Sequence, residues 1–254
     1  MNRSRATSGT WRERWAYQEN GRRGKSYGAM LGAWQRRDDR LRAMRDAAAM
    51  FDGTPDDGSL PVTLRHDERV LLTLAGVWPV DAPYVEWLPP PAVDSVPLAV
   101  PTGDAAPGIH VGHAGAVLIT NRRLVFAGPG QSREWAYGKI SGLSHDPAAP
   151  MTLIQVADRP RVSGLLVLPA AVETFRFHLQ LGIADAAGER AALVAHIDEL
   201  VREHDGRRPV QPLAVEPIDA PLRARWSLLA VVTVTVVVLV VLCGVGALVA
   251  NAGT

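Results

Sequence analysis

From Leu228 to Ala250 the chain runs 23 residues without a charged side chain, LLAVVTVTVVVLVVLCGVGALVA, and this block limits every other reading of the sequence. As a helix rising 1.5 Å per residue it is roughly 35 Å long, enough to cross a hydrocarbon core of about 30 Å with some tilt. Its β-branched residues favour a strand in water, but in lipid a lone segment has to satisfy its backbone internally and is therefore helical. Arg223 and Arg225 precede the block, with Arg207 and Arg208 further back, and Asn251–Thr254 carries no charged side chain. The distribution of basic residues then puts residues 1–227 on the cytoplasmic side, with Trp226 as an interfacial anchor. MNRSRATSGT has no apolar core, so no signal peptide is expected. The expectation is a single-pass, tail-anchored protein of the cell inner membrane with a cytoplasmic N-terminus. Cys243, the one cysteine, lies inside the block, and Gly244, Gly246 and Ala250 form a small-residue face that can pack on another helix.

The formal net charge of +1 conceals a segregation: residues 1–50 are +7 and the rest of the chain is −6. A balanced total excludes a general nucleic-acid coat protein, and 47% hydrophobic residues exclude disorder throughout. Residues 1–26 are polar and Arg-rich, with Trp11, Trp15 and Tyr17 interspersed, and read as a basic disordered arm. In residues 27–52, Leu31, Trp34, Leu41, Met44, Ala48 and Phe51 recur at helical intervals until Gly53 and Pro55 stop the run. Trp34, Leu41 and Ala48 stand seven apart, too short a run to require a coiled coil, so packing on the neighbouring domain is the expected use.

Residues 62–204 are expected to form one mainly β domain with flanking helices, an α+β arrangement. A first strand lies in ERVLLTLAGVW, followed by an excursion over 79–107 that holds eight of the 19 prolines. Ala116–Thr120 and Arg123–Ala127 read as a hairpin about Asn121-Arg122, where Asn tolerates a left-handed backbone. Gly128-Pro129-Gly130 makes the next turn, and Arg133–Tyr137, Met151–Val156 and Val162–Leu168 continue the strands. Thr174–Leu181 alternates apolar and polar residues and reads as a half-buried strand. Asp185 then offers an N-cap to a helix carrying Leu193, Val194, Ile197, Leu200 and Val201. Residues 205–227, with four prolines between Asp205 and Leu222, form a stiff linker to the span at 228–250.

This order, with the run Gly115-Ala116-Val117-Leu118-Ile119-Thr120-Asn121-Arg122-Arg123-Leu124-Val125-Phe126 and the upstream opening Asp67-Glu68-Arg69-Val70-Leu71, resembles the bacterial pleckstrin-homology-like and GRAM-type domains. The setting resembles a tail-anchored membrane protein of actinobacterial type, in keeping with 25 Arg against 2 Lys. The resemblance implies a partly open antiparallel barrel capped by a C-terminal helix, used to bind lipid head groups or proteins rather than to catalyse. The cations that could serve such binding are Arg122, Arg123, Arg133, Lys139, Arg159 and Arg161, scattered over three turns.

Motifs for chemistry are missing. There is no GxxxxGK[ST] loop and no Gly-Xaa-Ser-Xaa-Gly, and Ser141-Gly142 and Ser163-Gly164 read as turn pairs. His110 and His113, three apart and with His145 downstream, could begin a zinc site, but such sites need three or four ligands and an ordered second shell, so no metal, cofactor or catalytic residue is assigned. The leading expectation is a non-enzymatic binding or adaptor module recognising inner membrane lipid or an unknown protein partner. The alternative is a membrane-bound regulator that meets nucleic acid or an acidic partner through the Arg/Trp-rich arm, with nucleic acid disfavoured. Homodimerisation through the span or the N-terminal helix is open.

Overall fold

The computed structural model describes residues 10–55, 62–82, 88–92, 109–159 and 161–220. The expected span 228–250, its flank Arg223, Arg225 and Trp226, residues 1–9 and most of 79–107 lie outside the described residues. Among the described residues no helix is long and apolar enough to cross a membrane. The chain forms two compact units, one of Met30–Pro209 and one of Met1–Ala29 with Val210–Thr254. Helix α1 (Trp11–Met50) contributes its first turns to the smaller unit and the remainder to the larger.

The larger unit is α+β, and its apolar runs become eight antiparallel strands: β1 (Val70–Asp81), β2 (His110–Val111), β3 (Gly115–Thr120), β4 (Arg123–Gly128), β5 (Gln131–Ala136), β6 (Ile140–His145), β7 (Met151–Val156) and β8 (Ser163–Leu166). Their order is β5-β4-β3-β1-β8-β7-β6, with β2 added beside β1. The long first strand belongs to both halves: Val70–Val77 pairs with β3, and Trp78–Asp81 pairs with β8. Between them the register slips at Gly76, whose φ of +69° is a bulge conformation that glycine adopts without a Cβ clash. Trp135 of β5, wholly buried, donates its indole N–H to Ser163 Oγ of β8 at 3.0 Å and so ties the two halves together.

The expected hairpin forms in register, Ile119 opposite Leu124 and Val117 opposite Phe126. Its turn is made differently. Asn121 does not take a left-handed backbone; the one non-glycine residue that does, among the described residues, is Asp67, at φ 60°. Ser141-Gly142 and Ser163-Gly164 are not turns but parts of β6 and β8. Gly164 is needed there because a Cβ would lie 2.1 Å from the Thr152 carbonyl oxygen of the paired strand. Pro79 to Asp81, expected in the Pro-rich excursion, complete β1.

The largest departure from expectation is Thr174–Leu181, which is no strand but the middle of helix α2 (Val172–Ala187). Three adjoining stripes of this helix are buried: Val172, Phe175, Leu179 and Gly182; Phe177, Leu181 and Ala184; and Arg176 with Gln180. A helix buried over so much of its circumference has no wide polar stripe, so its 3.6-residue period is erased and a chance alternation remains. α2 packs on β1, β3 and β4. Its end is set by Gly188 in the left-handed conformation, whose N–H bonds Ala184 O and Asp185 O. Asp185 is therefore not an N-cap; it lies in the last turn of α2 and receives Arg190 Nε at 2.5 Å. Helix α3 (Arg190–Gly206) buries Leu193 and Ile197, with Val194 and Val201 packed against the same core.

Within this unit α1 presents Leu41, Met44 and Ala48 to the core, the apolar spacing read from the sequence. Trp34 stacks on His204 of α3 at 4.9 Å and 8°. Its indole N–H donates to His204 O at 3.0 Å, while His204 Nε2 bonds Trp34 O at the same distance. Arg208 covers the Trp34 ring at 5.5 Å.

In the smaller unit α1 begins at Trp11, so residues 11–26 are helical rather than part of a disordered arm. Thr10 and Glu13 form a capping box, Thr10 N donating to Glu13 Oε2 at 2.7 Å and Glu13 N to Thr10 Oγ1 at 3.4 Å. The linker is not free either. Asn20 holds the Val215 backbone at both ends, donating from Nδ2 to its carbonyl at 3.0 Å and accepting its N–H at 2.7 Å.

One substitution tests the seating of α2. A Cβ on Gly182 would stand 2.6 Å from Tyr137 Oη and 2.7 Å from Thr120 O, both buried, so Gly182→Ala should destabilise the protein by about 1–3 kcal/mol, read by urea denaturation.

Candidate partner-binding surface

The two sequence stretches that carry the family resemblance meet in space. Glu68, just before β1, is buried, and its Oε1 accepts Arg123 Nε and Thr120 Oγ1, each at 2.8 Å. Oε2 accepts Arg123 Nη2 at 3.0 Å and the Arg65 N–H at 2.7 Å. Arg123 Nη1 continues to Glu134 Oε2 at 2.7 Å, and Nη2 also reaches Thr63 O at 3.0 Å. Thr120 Oγ1 accepts the N–H groups of Arg122 and Arg123 at 3.1 and 3.0 Å, closing the hairpin turn with a side chain. Asn121 accepts Arg69 N–H at 3.0 Å and donates to Asp67 O at 3.3 Å. Burial alone pushes the Glu68 carboxyl up, but Arg123, the Arg65 N–H and the Thr120 hydroxyl outweigh it and hold the group below its usual value. Arg123 is thus a structural ion-pair partner, not a surface cation.

The remaining candidate cations divide between separate places. Arg122 is exposed on an open cleft of about 510 Å³ lined also by Asp52, Asp67, Arg69, Asn121, Asp185 and Arg190. Arg190 is engaged by Asp185 and Asp52, leaving Arg69 and Arg122 as the cations the cleft presents. Lys139 and Arg159 share a second cleft of about 360 Å³ with Arg65, Glu134 and Asp158. There Lys139 pairs with Asp158 at 2.7 Å and Arg65 with Glu134 at 2.5 Å. Arg133 is spent on a two-pronged pair with Asp81, at 2.6 and 2.8 Å. Arg161 is exposed, and its charge helps hold Asp81 ionised. The six cations therefore do not converge on one phosphate-sized site. Each cleft mixes both signs.

A polar cluster that sequence periodicity concealed lies around the buried face of α2. Arg176 Nη2 donates to two carbonyls of the β6–β7 connection, Asp146 O at 2.8 Å and Ala149 O at 3.2 Å, and to Met151 O at the start of β7 at 3.0 Å. Gln180, one turn on, donates to Ala92 O. His145 Nδ1 bonds Thr152 Oγ1 at 2.9 Å, and burial, with the nearby Arg176 charge, pushes its imidazole down to about 3. His110 and His113 are exposed, and among the described residues no group of three or more His, Cys, Asp or Glu is placed to hold a metal ion. The acidic-plus-apolar opening pointed to Glu68, but Glu134, Arg65 and Arg176 had no separate signal in the sequence.

Comparison with protein-family models, with curated proteins and with solved structures found no match.

Breaking the buried pair by Glu68→Gln or Arg123→Met should each cost about 3–5 kcal/mol, because the abandoned charge stays buried. The double variant should cost less than the sum, which a denaturation double-mutant cycle measures. A second prediction concerns acid. Because folding depresses the His145 pKa, its contribution is complete above about pH 6.5 and is lost as pH falls toward about 3. Between pH 6.5 and 5, stability should decline by up to ~1.4 kcal/mol per pH unit from this group, a slope that His145→Gln should flatten in pH-dependent urea titrations.

Proposed function

We propose that this chain is a non-enzymatic, membrane-tethered binding module whose pleckstrin-homology-like domain recognises a protein partner at the cytoplasmic face of the inner membrane. The observation that carries the reading is the order of elements. Leaving aside the two-residue β2, four antiparallel strands (β1, β3, β4, β5) are followed by three more (β6, β7, β8), and helices α2 and α3 close the domain. The contact of Glu68 with Thr120 and Arg123 adds support, since it joins the two motifs on which the resemblance rests. The 23-residue uncharged tail with its flanking arginines supplies the tether.

A protein is favoured over a phosphorylated lipid as this domain's ligand because of sign. A lipid phosphate calls for several converging cations with no carboxylate among them. The cleft at the hairpin turn instead places Arg69 and Arg122 beside Asp52, Asp67 and Asp185. Such a surface complements a polar protein face of mixed charge, where electrostatic matching sets specificity and encounter rate.

Arg69 and Arg122 are both exposed, so replacing them leaves the fold intact. The full chain, purified from native membranes in mild detergent, should retain a stoichiometric protein that Arg69→Glu/Arg122→Glu loses by about tenfold or more, a coupling of ~1.4 kcal/mol or above. Equal recovery by both forms, or binding of the domain to anionic vesicles that the double variant abolishes, would overturn the assignment of this cleft to a protein.

A further inference from the structure

The smaller unit turns the linker into a strap. Asn20 of α1 grips Val215, and Arg23 Nη1 reaches Leu213 O at 3.5 Å, so the linker runs antiparallel to the helix. Ala16, Asn20, Arg23 and Tyr27, spaced four, three and four apart, share one helical face. Ala16 and Val215 are buried, and a groove of about 260 Å³ lies between Asn20, Arg23 and Tyr27 and the stretch from Gln211 to Ala214. Beyond Val215 the strap makes one tight turn, Pro217–Asp219, closed by Glu216 and Asp219, and reaches the buried Ala220. The strap therefore runs toward the first turn of α1, where Trp11, Arg12 and Arg14 stand.

Among the described residues nothing covers the face of α1 opposite the strap. Trp11, Arg14, Gln18 and Lys25, at intervals of three, four and seven, share it, and all four are exposed. Tyr17 beside them is 84% exposed, and the Arg12 guanidinium lies 5.6 Å from the Trp11 ring centre. Glu13, the one carboxylate in these first turns, is taken up by the capping box. Arg22 and Arg23, further along, are already paired with Glu19. The unspent positive charge and the aromatic rings thus gather at the end of the helix toward which the strap runs.

We infer that the first turns of α1 form a seat for an anionic bilayer surface, with Trp11, Arg12 and Arg14 in the head-group layer and the strap holding them beside the point where the tail enters. The inference rests on the tail-anchor reading above and adds to it a second membrane contact, far from the tail in sequence. Arginine and tryptophan are the residues that settle at this depth, and attraction to an anionic leaflet decays within a Debye length of the surface. The seat needs the strap, because a free linker would leave the helix end unplaced relative to the membrane.

The test uses the full chain in vesicles containing one-third anionic lipid. A fluorophore on Gln18→Cys, in a Cys243→Ser background, reports the seat through quenching by nitroxide-labelled head groups. A fluorophore on the native Cys243 reports the tail through nitroxides on the acyl chains. Both should be quenched at low salt. The Gln18 signal alone should fall about twofold or more at high salt, in wholly neutral vesicles and in Arg12→Glu/Arg14→Glu. Asn20→Ala should reduce it too, because the strap loses both of its side-chain bonds to Val215. A quenched Cys243 label with an unquenched Gln18 label would overturn the seat while leaving the tail anchor standing. An unquenched Cys243 label would overturn the tail anchor and the seat with it. Full quenching in Asn20→Ala would overturn the dependence of the seat on the strap.

Discussion

A carboxylate and a guanidinium buried side by side are the hinge of the larger unit. Glu68 and Arg123 are withdrawn from water, where each alone would be costly, and remain charged because Glu68 accepts four hydrogen bonds and four of the five Arg123 N–H groups find an acceptor. That requirement fixes much else. Thr120 must turn its hydroxyl toward Glu68, so the β3–β4 turn closes through a side chain, and Asp67 takes the strained backbone that the turn itself avoids. The chain entering β1 is thereby fastened to the hairpin across from it. Neighbouring interactions then build outward, from Tyr137, whose hydroxyl donates to Thr120 O, to Gly182, which lets α2 approach both.

The same economy explains why the obvious basic residues make a poor catalogue of binding sites. Arg123, Arg133 and Arg190 hold the fold together through Glu68, Asp81 and Asp185. Arg176 braces the β6–β7 connection by its hydrogen bonds to carbonyls. Arg69 and Arg122 stand together without such a pair in a cleft of mixed sign, while Arg161 is exposed apart from them. In the other unit, Arg12 and Arg14 stand beside exposed aromatic rings. A mixed-sign cleft and a helix end whose one carboxylate, Glu13, is held by its cap beside free arginines and aromatic rings select different ligands, and the proposed division between protein and membrane follows from that difference.

Burial geometry also accounts for the misread helix. The alternation of Phe175, Phe177, Leu179 and Leu181 with Arg176, His178 and Gln180 satisfies a strand template only if the polar members face water. Arg176 and Gln180 do not; they are 1% exposed and bonded to backbone carbonyls. Polarity in a sequence is a proxy for exposure, and the proxy fails where a long side chain finds its partners inside.

Local properties were therefore legible without coordinates. The β3–β4 hairpin, the apolar positions of α1 from Leu41 onward, the stripe on α3, the segregated charge and the uncharged tail depend on spacing within a few residues, which a linear sequence displays directly. The partner of Arg123, the helical state of Thr174–Leu181 and the strapping of Val215 by Asn20 were decided only in three dimensions. In the first and last cases the residues are 55 and 195 positions apart. In the second, the helix is surrounded on several sides, so no single face remained to leave its period in the sequence.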